Sequence, residues 1–232
     1  MSDYEAAFAE LRKFDTPTIC NALEIAAPER RGYGYTVRPL VCARPQLPPI
    51  VGFARTATIS SMRPGRRPAK QAREHRLEYY RMFTEGPQPT IAVIQDIDDI
   101  PGYGAHWGEV NSAIHKGLGC LGCVTNGSMR DLDVLADGFQ ICAGVVGPSH
   151  AFVHVEEIGT TVNIHGMQVS PGDLIHADLH GAVAFDVKLV DDVIKAIDLL
   201  TRREAKILDA ARAPDFGIDK LAQAMADADE IH

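Results

Sequence analysis

Residues 115–131, HKGLGCLGCVTNGSMRD, crowd three chemically suggestive patterns into one segment. Gly117, Gly119 and Gly122 fall as G-x-G-x-x-G, the spacing that lets backbone approach a pyrophosphate at a helix start. Cys120 and Cys123 form C-x-x-C, a spacing of zinc and dithiol sites. Arg130 and Asp131 close the segment with an adjacent cation and anion. Context separates the three. A dinucleotide loop leaves a strand and opens a helix, whereas here a helical pattern over 107–117 precedes the glycines and an apolar strand follows them. Gly117 then reads as a helix end, and Gly119 and Gly122 as points of close packing. The cysteines have no second ligand pair and, three apart in a strand, are expected on opposite faces as buried apolar thiols.

The Arg-Asp pair survives that test. A strand ending at Thr125 or Asn126, a tight turn and a helix over 131–137 would put free amides, a helix dipole and a guanidinium at a strand's C-terminal edge. Open α/β sheets bind ligands at such edges. Ser128-x-x-Asp131 fits a capping box equally well. A second strand-to-helix entry, YGAHWGEVN (103–111), breaks the tie, because it follows a strand at 90–98 and leaves amides unpaired at Gly108, Glu109 and Val110. If the two strands are neighbours, Glu109, Arg130 and Asp131 meet in one crevice.

The elements that must position these residues follow from periodicity and turn chemistry. Helices are expected from Ser2 or Asp3 to about Phe14, from a Thr16 cap with Pro17 at its first position, over 68–84, over 107–117 with Trp107, Val110 and Ile114 on one face, and from Val190 to Arg212, with a short one at the C-terminus. Strands are expected at 51–60, 90–98, 120–126 and 139–146, then as short Gly-linked strands at 160–170, 173–178 and 182–187. The result is a mixed α/β layered fold on one domain spanning 1–232, with a helical N-terminus at 1–27, a core at about 50–190 and C-terminal helices from 190. The net charge of −8, spread along the chain, argues against a nucleic-acid binder. The basic run Arg63–Arg76 reads as a solvated helix face. No segment is apolar enough for a membrane span or signal core, and five scattered cysteines suit a reducing cytoplasm.

WGEVNSAIHKGLGCLGCVTNGSMRDLDVL, with SPGDLIHADLHGAVAF downstream, resembles the superfamily of ribonuclease-activity regulator A proteins and 4-hydroxy-4-methyl-2-oxoglutarate aldolases, also called demethylmenaquinone methyltransferase-like. The aldolase branch carries an acidic residue, twenty intervening residues and Arg-Asp; here Glu109 precedes Arg130-Asp131 by that interval. The resemblance covers roughly residues 15–190. It implies a β/β/α swivelling fold in homotrimers or homohexamers, with the active site between subunits. It also implies a divalent-metal (class II) pyruvate aldolase with oxaloacetate decarboxylase activity. By position, Asp131 would hold Mg²⁺ or Mn²⁺, and Glu109 would act on its waters. Arg130 would bind the carboxylate and enolate oxygen of a small 2-oxo acid, and the amides of Gly108, Glu109, Val110 and Asn111 its carboxylate. A metal route suits an enolate-forming cleavage, since Lys188 alone comes near the setting of a Schiff-base lysine.

Three features depart from or compete with that pattern. Glu109 replaces the more usual Asp, and Asn21 stands where aldolases tend to be acidic. Glu204 is the candidate for the acid donated by a neighbouring subunit. His176-x-Asp178-x-His180 offers a rival zinc set, with a turn between strands as the plainer reading, while His106 is expected in a loop and His115 on a helix surface. The other functional class is a non-catalytic oligomeric regulator that binds a ribonuclease or another protein.

Overall fold

The computed structural model describes residues 4–232, so the expected Ser2 or Asp3 cap lies outside the described residues. Helices α1 (Glu5–Leu11) and α2 (Thr16–Ala26) lead through a wrapped strap to strand β1 (Val41–Cys42) and the long β2 (Ile50–Ser60). Then come α3 (Ala69–Arg81), β3 (Thr90–Asp96), β4 (Ala105–Trp107), α4 (Glu109–Gly117), β5 (Cys120–Met129) and β6 (Gln140–Val146). The short strands β7 (His154–Ile158), β8 (Val162–Ile164), β9 (Met167–Val169), β10 (Leu174–Asp178) and β11 (Gly181–Phe185) follow, and α5 (Val190–Ala211) and α6 (Ile218–Asp229) close the chain.

Strand β2 is the axis of the main sheet, whose order is β1-β6-β5-β3-β2-β10-β11, with β4 on β5 and β7 on β2. Its expected alternation gives way to burial at every residue but Ser60, because both faces are covered. Val51, Phe53, Ala57 and Ile59 face the helices: α1, α2 and α5 cover the first pair, and α3 and α4 lie with Tyr79, Phe83, Trp107 and Phe139 over the second. Ile50 and Ala54 face the β8–β9 hairpin, whose Val162, Ile164, Met167 and Val169 bury against the other side. Hairpin, curled sheet and helices are the three layers of the β/β/α arrangement that the sequence led one to expect. The basic helix α3 is the solvated face anticipated for it, exposed along most of its length and anchored by the fully buried Tyr79.

Local chemistry corrects two expectations. The cap of α2 is Asp15, whose carboxylate accepts from the Thr18 amide at 2.9 Å, and Thr16 is already helical. The Thr16 amide instead donates to Asp178 Oδ2 at 2.9 Å, and its hydroxyl pairs with His176 Nδ1 at 3.0 Å. Asp178 Oδ1 also accepts from the His180 amide at 2.8 Å, closing the β10–β11 turn. Asp178 and buried His176, which also reaches the Leu11 carbonyl, are thus spent on fastening α2 to the sheet, while the half-exposed His180 ring only turns back onto Asp178.

Burial pushes the Asp178 carboxyl up, but the bonds from the Thr16 and His180 amides outweigh it and hold it below the usual carboxylate range. A depressed folded-state pKa stabilises above the unfolded value near ~3.9, and that contribution is lost as pH falls through the folded value. Asp178→Ala leaves buried amides unpaired and should cost about 2 kcal/mol, or roughly 4–8 °C in Tm at pH 7. Thermal unfolding at pH 7 and below pH 3 checks this, with the gap between variant and wild type narrowing in acid.

Candidate functional site

Strand β5 serves two neighbours in turn. It pairs in parallel with β3 from Cys120 to Thr125 and with β4 at Ser128 and Met129. Between them the Asn126 side chain takes over the ladder, accepting from the Asp96 amide at 2.7 Å and donating to the Asp96 carbonyl at 2.9 Å. Buried Asp96 then turns the chain after β3, its carboxylate accepting from the Asp98 and Gly102 amides. Asp98 accepts in turn from Ser60, from the amide and hydroxyl of Ser61 and from the Met62 amide, all within 3.0 Å. These contacts aim β4 at the end of β5. β3 and β5 are neighbours, as the site required.

After β5, the Arg130 amide donates to the Trp107 carbonyl at 2.9 Å, and Asp131 adopts a left-handed backbone with φ of 57°. The expected helix over 131–137 does not form; the segment is a series of turns. Its backbone is satisfied from outside: Arg44 donates to the Leu135 carbonyl at 2.8 Å, and the Ala136 amide donates to Ser112 Oγ at 3.0 Å. The Ser128 capping box fails with it, since Ser128 lies inside β5 with its hydroxyl buried and unpartnered among the described residues.

Asp131 still meets a helix N-terminus, but that of α4. Its Oδ2 accepts from the Glu109 amide at 3.2 Å and lies 3.7 Å from Arg130 Nε. Gly108 is extended, a conformation any residue adopts, so its role is space: a Cβ there would sit 2.5 Å from Asp131 Oδ2. The amides of Val110 and Asn111 have no carbonyl one turn back to bond within the helix. The structure therefore brings together Gly108, Glu109, Val110, Asn111, Arg130 and Asp131. Glu109 and Asp131 are exposed, and Val110 (69%), Leu132 (40%) and Val134 (54%) form an apolar rim.

Trp107 belongs to β4, not to the helix, and α4 buries Ser112 and His115 rather than Val110 and Ile114. His115, expected on a surface, is the centre of a buried network. Its Nδ1 lies 2.7 Å from the Asn111 carbonyl, an acceptor only, so Nδ1 carries the proton and Nε2 accepts from Tyr79 Oη at 2.8 Å. His106, on β4 rather than in a loop, lies 3.4 Å from the same hydroxyl. Tyr80 donates to Asn111 Oδ1 at 2.7 Å, and Asn111 Nδ2 donates to the His106 carbonyl. The Asn111 side chain is therefore spent on holding the helix start, which leaves only its amide for a ligand.

The remaining candidates lie elsewhere. All seven lysines are exposed, Lys188 among them, so none has the desolvated setting of a Schiff-base nucleophile. Asn21 on α2 and Glu204 on α5 are exposed on helices packed over the β10–β11 flank or on each other, apart from the Arg130-Asp131 corner of the same chain. Cys120 and Cys123 share one face, because a bulge opposite Thr90 and Ala92 inserts a residue between them; both are buried in the α3–α4 core as apolar thiols. Gly119, with φ of 87°, ends α4 in place of Gly117, and a Cβ on Gly122 would collide with the Gln140 carbonyl. Among the described residues no group of three or more His, Cys, Asp or Glu is placed to hold a metal. The donors at the corner still suit a hard cation that keeps most of its water, for which one or two carboxylates suffice.

The RraA-like family model, described as Aldolase/RraA, matches residues 16–184, and the chain belongs to that family. An uncharacterised protein of Methanocaldococcus jannaschii is 31% identical over 105 residues, a match that spans 44% of this chain and 50% of that protein. Among solved structures, one described as novel cellulases from microbes associated with the gut ecosystem superposes with a TM-score of 0.74 at 16% identity, over 89% of this chain and 88% of its own. Streptomyces coelicolor RraAS2, described as an unusual member of the RNase ES inhibitor RraA protein family, gives 0.65 at 20% identity over 90% and 98%. These two likenesses concern the fold. No helix among the described residues is long and apolar enough to cross a membrane.

Burial lowers the pKa of His115 to about 3 and that of His106 to about 4, which keeps both rings neutral near pH 7. Neither should titrate between pH 5 and 8 in a ¹⁵N-edited NMR titration, and His115 should show the Nδ1-protonated tautomer. Tyr79→Phe, which removes the donor to Nε2, should lower stability by about 1 kcal/mol, checked by denaturant unfolding.

Proposed function

We propose that the chain is a divalent-metal-dependent, class II pyruvate lyase that cleaves a 4-hydroxy-2-oxo acid to pyruvate and also decarboxylates oxaloacetate. The observation that carries this reading is the Asp131 carboxylate, held in a left-handed backbone over Gly108 with Oδ2 on the first amide of α4 and Arg130 beside it. Family membership supports it and is compatible with either an aldolase or a regulator.

Asp131, whose Oδ1 is free of the amide contact, would hold Mg²⁺ or Mn²⁺, and Glu109 beside it would be the carboxylate that accepts a proton. A bound divalent cation supplies Lewis acidity toward the charge that develops beside the 2-oxo group. Arg130 meets the substrate carboxylate and the incipient enolate oxygen with donors the protein has not otherwise spent. The amides of Val110 and Asn111, at the positive end of α4, fix the carboxylate. Such preorganised donors count most where charge grows in the transition state. The apolar rim of Val110, Leu132 and Val134 suits cover by another subunit of a homotrimer or homohexamer, which would exclude water and could add the acid that Asn21 does not provide. We place this enzyme in the cytoplasm, without nucleic-acid or membrane partners.

A second reading has its own support in the description of the Streptomyces coelicolor relative as belonging to an RNase inhibitor family. There the same rim would take a ribonuclease or another protein, without catalysis.

The deciding experiment is oxaloacetate decarboxylation by the purified chain with Mg²⁺ or Mn²⁺ and then with EDTA. Pyruvate release should vanish with EDTA, drop by about 10²-fold or more in Arg130→Ala, and be lost in Asp131→Ala with either metal added. Gly108→Ala should fold with a near-native Tm yet lose most turnover, because its methyl displaces the Asp131 carboxylate. A folded chain inactive with every metal, which captures a ribonuclease in a pulldown, would establish the regulator instead.

A further inference from the structure

Two thiols outside this site face each other across the edge of the sheet. In the antiparallel pairing of β1 with β6, Cys42 is directly opposite Cys142. The next pair along, Ala43 and Ile141, carries a ladder bond from the Ala43 amide to the Ile141 carbonyl at 2.8 Å. Ladder bonds alternate, so Cys42 and Cys142 occupy a non-hydrogen-bonded pair, where facing Cα atoms lie about 4.5 Å apart and side chains come closest. That separation is within the roughly 4.4–6.8 Å that a disulfide spans. Both side chains lie on the hairpin side of the sheet: Cys142 is buried in that core and Cys42 is half-buried against it.

We propose that Cys42 and Cys142 form a thiol–disulfide exchange site, oxidised by a small-molecule disulfide, that reversibly staples the strap carrying β1 to β6.

Access and acidity divide the labour. The Cys142 thiol donates to the Asp178 carbonyl at 3.5 Å; its nearness to Cys42, together with the Arg44 amide, holds the Cys42 thiol below its ordinary value against the effect of burial. Cys42 is therefore the thiol that reacts first: Cys142 is raised by its interaction with Cys42 and by burial, Cys20 and Cys120 are pushed up to about 11, mainly by burial, and Cys123 is raised by burial too, so that Cys142 is set apart from the last three only by facing Cys42 across the ladder. Half-buried Cys42 loses its proton and attacks one sulfur of the small disulfide, whose S–S bond breaks as one thiolate leaves and is protonated. Cys142 gives up its proton and attacks the Cys42 sulfur of the mixed disulfide, expelling the second small thiol. Two protein thiols and one small disulfide become one protein disulfide and two small thiols, with two electrons passing to the reagent.

The bond would have a definite mechanical effect. Arg44, two residues beyond Cys42, is already bracketed by Gln140, whose Nε2 donates to the Arg44 carbonyl at 2.8 Å and whose Oε1 lies 3.3 Å from the Arg44 amide. The Arg44 guanidinium then holds the Leu135 carbonyl in the turns after Asp131. Closing the disulfide fixes the strap at the point from which it supports that segment. The inference stands on the sheet register and does not depend on the proposed lyase activity.

The test uses the folded wild-type chain in glutathione buffers of graded oxidised-to-reduced ratio, followed by alkylation in denaturant and non-reducing peptide mapping. The expected result is the loss of two alkylatable thiols, a peptide linking Cys42 to Cys142, full reversal by dithiothreitol and a Tm rise on the order of 5 °C that Cys42→Ser lacks. Both thiols remaining alkylatable across the range, a stable glutathione adduct on Cys42, or linkage only after unfolding would each overturn the proposal.

Discussion

Strand β5 cannot keep one neighbour along its whole length and also deliver Arg130 and Asp131 to a helix start. The Asn126 side chain resolves this by bonding both the amide and the carbonyl of Asp96, so that β5 leaves β3 without stranding buried backbone groups. Each such bond contributes only about 1 kcal/mol net, but leaving its partner unpaired would cost more. Asp96 and Asp98 continue the same logic, fastening the loop that carries β4 to the end of β2. Every distance at the Arg130-Asp131 corner depends on that switch of neighbours.

Asp131 could be no more than a helix cap supplied from a distance, since α4 has no side-chain cap of its own. The details favour more than capping. A Ser, Thr or Asp at position 108 would cap α4 locally, and the extended backbone there permits any residue. The chain carries glycine instead, leaving room that the Asp131 carboxylate fills. It also holds Asp131 in a left-handed conformation, a cost of order 1–3 kcal/mol that Asp tolerates better than most. A local cap surrendered and a strained carboxylate kept together support the proposal that Asp131 is placed for a ligand.

The layers and the strand at 51–60 were legible in the hydrophobic period, and the meeting of Glu109, Arg130 and Asp131 in the order of strands and helix starts, while the weight given to the interval from Glu109 to Arg130 came from the family resemblance. The misses share a cause: groups satisfied by partners distant in sequence. The apolar pattern of residues 131–137 resembles a helix, but Arg44 and Ser112 supply its bonds. His115 looks like a surface residue until Tyr79, 36 positions away, takes its Nε2. The bulge that brings Cys120 and Cys123 to one face answers to the register with β3, which no local pattern encodes. Asn126-Gly127 at a strand end and Asp96-x-Asp98 before a loop were available signals for the switch, and both are turn chemistry rather than apolar period.

The arginines separate structural from functional use of the same side chain. Arg55 spends its guanidinium on the carbonyls of Met82, Glu85 and Pro87, closing the loop after α3. Arg67 is tied to the Val155 and Glu156 carbonyls, and Arg44 to that of Leu135. Arg130 differs: its one close anion is Asp131, at 3.7 Å and through Nε, which leaves the two terminal nitrogens of the fork unassigned among the described residues. At this half-exposed position the pair contributes little to stability. A guanidinium that the fold neither buries nor pairs closely, beside free helix amides and a constrained carboxylate, supports the proposed role of Arg130 in holding a carboxylate in two-pronged fashion.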